Sequence, residues 1–203
     1  PGALRAALAI LLLGPAIPLI FMGEEWGTTK PFLFFCDLGD DLAPKVTEGR
    51  RREFASLPAF SDPVMRGRIP DPVALQTYVD SKLDWEEAAQ PSNQHWRHVY
   101  KTLLAIRTQA ITPLLPLMPF HAEGSRHYER LGPHALTVQG QLTNGKTLIL
   151  AANLGAQPLT FPHGNHHNLK LTPLNLIYQS EEQVLEQFQS GRMPAWSVVW
   201  CIQ

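Results

Sequence analysis

The chain has 203 residues, 44% of them apolar and 17% charged, which is enough to bury a sizeable core and too apolar for a disordered state. Seventeen Lys and Arg stand against 18 Asp and Glu, so nothing in the charge balance provides a footprint for nucleic acid or an anionic membrane. Cys36 and Cys201 form neither a CxxC motif nor a disulfide framework, and reduced thiols in a cytoplasmic protein are expected.

The chain opens Pro1-Gly2 without an initiator Met, as a piece of a longer protein would. Ala3–Leu13 is rich in Ala and Leu and predicts a helix, stopped by Gly14 and kept from resuming by Pro15. The whole run to Met22 is apolar enough to raise a membrane span. Pro15 and Pro18 interrupt it, however, and no basic segment precedes Ala3. Ile17–Met22 instead predicts a short strand buried on both faces, as in a parallel α/β sheet.

From Gly23 to about Gln90 periodicity is weak and breakers are many, and so long an irregular excursion is usually functional. Within it Lys45–Phe54 predicts a short helix, with Glu48 and Arg52 paired at i and i+4, and "IPDPVALQTY" resists helix until after Pro72. Trp96, Val99, Tyr100, Leu103, Leu104 and Arg107 recur at helical spacing. They predict a helix capped by Ser92 and ended by Ile111-Thr112-Pro113. From Leu114 the composition shifts to short alternating runs. Leu136–Leu142 and Thr147–Asn153, around Asn144-Gly145, predict a hairpin with a type I′ turn. Ala195–Gln203 predicts a last strand with Trp196, Val198, Trp200 and Ile202 on one face. Several short strands without a long helix point to an antiparallel β-sandwich.

Four constellations carry candidate chemistry. Glu24, Glu25 and Trp26 would emerge at the carboxyl end of the Ile17–Met22 strand, the rim that carries the site in α/β barrels. Adjacent residues on an extended strand point to opposite faces, so the two carboxylates are not expected to converge on one bond as acid and nucleophile. One should cap or pair and the other line the cleft. Arg50, Arg51 and Arg52 fan out around a helix, and at least one could reach a carboxylate or a sugar hydroxyl, against the plainer reading of a solvated, salt-bridged turn. Phe32, Phe34, Phe35, Tyr78 and Trp85 suit stacking on sugar faces, though most are expected to pack the loop core. His95 and His98 on a helix, and His163, His166 and His167 in "HGNHH", lack the acidic or cysteine partners of a metal shell. No phosphate loop, GxGxxG, GxSxG or HExxH is present.

Taken in order, "PLIFMGEEWG", "KPFLFFCDLGDDL", "TEGRRREF", "IPDPVALQTYVDSKLDWEE" and "PAWSVVW" resemble the malto-oligosyltrehalose trehalohydrolases, a family of the α-amylase superfamily. "FMGEE" alone also fits glycogen branching enzymes, and "PFLFF" followed by "EGRRREF" narrows the match. The resemblance implies a mixed α/β and all-β chain. Residues 1–113 would be the C-terminal part of a (β/α)8 TIM barrel and 114–203 an antiparallel β-sandwich domain. It implies a retaining glycosidase that cleaves the α-1,4 bond beside a terminal trehalosyl unit. The partners it implies are a malto-oligosyltrehalose or α-glucan substrate and the rest of the barrel, with no cofactor, metal, nucleic acid or membrane. In that family the catalytic carboxylates follow the fourth, fifth and seventh strands, so no residue here matches them, and no "NHD" occurs. Glu24, Glu25, Trp26, Arg50, Arg51, Arg52 and Trp85 remain as substrate-binding candidates. Cys36 and Cys201 depart from the expected Thr and aromatic. The alternatives are a branching enzyme or amylase fragment, or a non-catalytic glucan-binding module using Trp196 and Trp200.

Overall fold

The computed structural model describes residues 2–60, 62–119, 124–162 and 173–203. Two compact units form, one of Pro1–Leu19 with His98–Gln203, the other Ile20–Arg97. The shift from helical to strand composition near Leu114 lies inside the first unit.

In the first unit helix α1, Gly2–Leu13, buries Ala6, Leu8, Ala9, Leu12 and Leu13, the stripe expected of its Ala and Leu residues. Gly14 ends it by donating its amide to the Ile10 carbonyl at 2.9 Å, and a Cβ there would lie 2.8 Å from that oxygen. The last carbonyls of a helix carry partial negative charge and lack intrahelical donors. Here Arg107 supplies them. Its Nη1 donates to the Leu12 and Gly14 carbonyls at 2.8 and 2.6 Å, and its Nη2 to that of Ala16 at 2.9 Å.

The segment leading out of this cap, Ile17–Met22, is not the buried strand its composition predicts. It is extended, but no described residue forms a ladder with it, and Ile17 and Leu19 are 92% and 85% exposed. Pro18 and Ile20 on the alternate positions are half-buried, so the period of two is present without a sheet to use it. A strand exists only when a neighbour accepts and donates its backbone bonds.

The periodic helix α5, Pro91–Ile106, begins one residue earlier than expected, with Pro91 at the position whose fixed φ suits a first turn. Ser92 does not cap it, because it already lies inside the first turn, and its hydroxyl donates to Asn93 Oδ1 at 2.9 Å. Beyond Ile106 the helical path loosens to a π turn over Arg107–Ile111, then tightens to a 3₁₀ stretch over Thr112–Leu117. Pro113 therefore does not end it, because at the start of a new turn its missing N–H is not needed.

Five strands, β1 Arg126–Gly132, β2 Ala135–Gln141, β3 Thr147–Asn153, β5 Leu176–Gln179 and β7 Ser197–Ile202, form one antiparallel sheet in the order β1-β2-β3-β7-β5. The β2–β3 hairpin is present, but its turn is not type I′. Asn144 keeps a negative φ and only Gly145 is left-handed, at 83°. Gly145 N donates to the Leu142 carbonyl and Leu142 N to that of Lys146, which closes a three-residue loop of a type I turn plus a left-handed glycine.

Register explains why β3 is apolar on both faces. Ile149 and Ala151 lie beside Cys201 and Val199, and this face packs on α6, Val184–Gln189, and a two-stranded ribbon of β4, Leu159–Thr160, and β6, Arg192–Met193. Leu150 lies beside Trp200, whose Nε1 donates to the Ala9 carbonyl of α1 at 3.2 Å. The expected antiparallel sheet is thus present, while the layer opposite it is a ribbon and a helix. Asn153, 2% exposed, ties the end of β3 to this layer: its Nδ2 donates to the Gln157 and Pro194 carbonyls at 2.9 and 2.8 Å, and its Oδ1 accepts from Gly155 N.

The second unit holds α2, Ala43–Phe54, α3, Pro63–Gly67, and α4, Leu75–Ser81, joined by extended segments. Helix α2 includes the expected Arg52–Glu48 pair at 2.6 Å, and α4 starts after Pro72 as anticipated.

Candidate functional site

The Glu24–Trp26 stretch is a single 3₁₀ turn between two left-handed glycines, Gly23 at φ 88° and Gly27 at φ 67°. Glycine is required at Gly23 on two counts. Side chains seldom adopt that φ, and a Cβ would meet Thr28 Cγ2 at 2.6 Å and Leu83 Cδ2 at 2.7 Å. In a 3₁₀ turn successive side chains diverge by about 120°. Glu24 and Glu25 therefore point apart, not because they alternate along a strand, as the sequence suggests, but because they fan around a turn.

The carboxylate of Glu25 accepts a hydrogen bond from Gly23 N at 2.9 Å, so this group caps its own turn. The turn's carbonyls are held from α5: Asn93 Nδ2 donates to the Trp26 carbonyl at 2.9 Å and Trp96 Nε1 to that of Glu24 at 3.1 Å. Trp26 is buried at 4% exposure, and its Nε1 has no hydrogen-bond partner among the described residues. Trp85 lies against it with ring centroids 5.2 Å apart and is itself 71% exposed, so one face of this aromatic pair is open to a ligand.

The chain leaving the turn is clamped by Glu87, which accepts from the Thr28 and Thr29 hydroxyls, both at 2.7 Å, and from Thr29 N at 2.8 Å. These donors, the Thr28 hydroxyl foremost, hold the Glu87 carboxyl below the usual glutamate range. Neither Glu87 nor Asn93 stands out in the sequence. "WEE" offers two adjacent carboxylates, and Ser92-Asn93 two capping residues, with nothing to say which one is used.

The three arginines of α2 have separate duties. Arg52 pairs with Glu48 on the exposed side, the solvated pairing the sequence allowed. Arg51 contributes charge near Asp71, whose carboxyl is lowered first by the Thr47 hydroxyl at 2.7 Å, then by Val73 N, with the arginine's charge adding to them. Arg50 lies over the rings of Phe34 and Phe54, 5.0 and 4.4 Å from their centroids, with Nη1 on Glu53 at 3.0 Å. The structure thus brings together Glu24, Glu25, Trp26 and Trp85 as one group and sets Arg50 in another.

Phe21, Phe32, Phe35 and Tyr78 touch in series at 4.9, 5.9 and 5.2 Å in edge-to-face contacts, the packing role foreseen for most of these rings. His95 and His98 are exposed on α5, and His163, His166 and His167 lie outside the described residues. Trp196 and Trp200 do not form a sugar platform. Trp200 is 4% exposed and bonded to α1, and Trp196, at φ 53°, precedes β7 and breaks the alternation.

Among curated proteins, the malto-oligosyltrehalose trehalohydrolase of Deinococcus radiodurans is 39% identical over 105 residues, 52% of this chain and 16% of that protein. That of Mycobacterium tuberculosis is 32% identical over 162 residues, 79% of this chain and 26% of that protein. The chain resembles the malto-oligosyltrehalose trehalohydrolases. It spans about a quarter or less of those two trehalohydrolases' length. Residues 123–200 match a family described as a domain of unknown function, DUF3459. A crystal structure of a provisionally named alpha amylase from Salmonella typhimurium superposes with a TM-score of 0.78 at 32% identity, covering 99% of this chain and 30% of that one. The catalytic module of the pneumococcal glycogen-degrading factor SpuA shares the fold, with a TM-score of 0.53 at 18% identity over 98% of this chain and 30% of that one. The trehalohydrolase resemblance and the 32%-identical amylase-named structure together make this chain similar to part of a glycoside hydrolase. No described helix is long and apolar enough to cross a membrane.

Proposed function

We propose that the chain is the C-terminal portion of a retaining α-glycosidase that cuts the α-1,4 bond next to the terminal trehalosyl unit of malto-oligosyltrehalose and releases trehalose. The observation that carries this reading is the 162-residue match to a trehalohydrolase. The fold adds a physical argument. Ile17, Leu19 and Phe21 lie on an extended apolar segment with no ladder to any described residue, leading directly into the Glu24–Trp26 turn. Such an edge gains stability only by pairing and being covered. A barrel supplied by upstream sequence would do both, with residues 1–113 its last segment and 114–203 the β-domain, in a cytoplasmic enzyme.

In this reading the chain contributes no catalytic carboxylate. Glu25 is spent on Gly23 N, and the Trp26–Trp85 pair borders the substrate at the rim. The test is product analysis. The full-length protein given maltotriosyltrehalose should release trehalose and maltotriose, whereas the 203-residue chain alone should release neither. Transfer products or glucose and maltose without trehalose would replace this reading with a branching enzyme or an amylase.

A further inference from the structure

We propose that the second unit carries a glucan-binding recess separate from the Glu24–Trp26 turn, formed by Phe34, Phe54, Phe60, Arg50 and Arg68. The recess is open to solvent and holds about 240 Å³, somewhat below the roughly 300–1,000 Å³ of sites that take a whole small ligand, which suits one or two sugar rings lying across it. Its position follows from how the chain is pinned. The extended segment after Thr29 is held where Leu33 N donates to Ser81 Oγ at 3.1 Å, and again where Cys36 N donates to the Pro72 carbonyl at 2.9 Å. With the backbone fixed at both points, Phe34 stays 45% exposed at the recess instead of turning into a core, and Phe32 beside it is 55% exposed.

Two guanidinium groups supply the polar side. Arg50 is held against its two rings and by Glu53, which leaves most of its N–H donors unused by the described residues. Arg68 lines the same recess and is exposed, which leaves its donors to solvent or a ligand. The exposed Phe34 ring beside forked donors fits a pyranose, which offers an apolar C–H face and vicinal hydroxyls. Glu53 answers the charge of Arg50 at 3.0 Å while Arg68 keeps its own, so a small anion is the competing ligand that the phosphate arm below tests. The choice of an α-linked glucan among pyranoses rests on the function proposed above, while the recess and its chemistry do not.

The test is titration of the 203-residue chain with maltotetraose, followed by saturation-transfer NMR and calorimetry, with inorganic phosphate as a parallel arm. Saturable maltotetraose binding, weakened at least tenfold by Arg68→Ala and by Phe34→Ala, is expected. Arg68 is exposed, so its loss should leave the melting temperature unchanged. In the full-length protein Arg68→Ala should raise KM for long substrates and leave kcat alone. Absent saturation, binding retained in both variants, or phosphate bound in preference to maltotetraose would each overturn the proposal. If trehalose is never a product but glucan binding still depends on Arg68, the trehalohydrolase reading fails and the recess stands.

Discussion

Replacing Arg107 tests whether one buried cation sets the end of α1. The side chain is 9% exposed and, among the described residues, makes three hydrogen bonds of 2.6–2.9 Å, all to backbone carbonyls and none to a carboxylate. Hydrogen bonds to charged groups are worth about 1.5–3 kcal/mol each. Against their sum stands the cost of drying a guanidinium, several kcal/mol. For Arg107→Met, which keeps the length and removes every donor, the net loss is about 2–4 kcal/mol. At roughly 2–4 °C per kcal/mol for a chain of this size, the melting temperature should fall by about 5–15 °C. Arg107→Lys keeps the charge but cannot fork across carbonyls on three residues, and should recover less than half of the loss. Urea denaturation followed by circular dichroism measures both. A methionine variant within about 0.5 kcal/mol of the parent would refute the view that this cap is a net stabiliser, and would mean that desolvation cancels the bonds.

Two glycines separate conformational strain from crowding. Gly145→Ala, with open space around it, should cost only the left-handed backbone penalty, about 1 kcal/mol. Gly23→Ala adds overpacking against Thr28 and Leu83 and should cost about 3 kcal/mol by the same denaturation measurement, so equal losses would contradict the packing at the turn. The clamp on Thr28 and Thr29 has a defined pH dependence. Glu87 is lowered in the folded state, so its stabilisation is fully present above the ordinary glutamate value of about 4.3 and is lost as pH falls through the lower folded value. A carbon-detected NMR titration should place its midpoint below that of an unstructured glutamate, and Thr28→Val should raise it; an unshifted midpoint would remove the clamp.

Much of the architecture was legible from local chemistry. Ala- and Leu-rich α1, the Glu48–Arg52 pair, the start of α4 beyond Pro72 and the β2–β3 hairpin depend on residues within a few positions of each other, where propensity, spacing and turn residues act directly. The exposed state of Ile17–Met22 was not legible, because burial of an apolar run depends on what lies beside it in space. The same limit hid the roles of Glu87, Asn93 and Trp96, which meet the Glu24–Trp26 turn and the Thr28–Thr29 segment after it from 58 to 72 residues away.

The sequence alone determined the helices α1, α2 and α5, the β2–β3 hairpin, and that Gly23, Glu24, Glu25 and Trp26 mark a special point. Tertiary structure decided what that point is. Left-handed glycines and donors from a distant helix wind it into a turn that spends Glu25 on its own backbone, since a carboxylate's role is fixed by the nearest unpaired N–H and not by its neighbour in the chain. Tertiary structure likewise turned the expected two-tryptophan face into core, because α1 covers Trp200 and a positive φ at Trp196 ends the alternation.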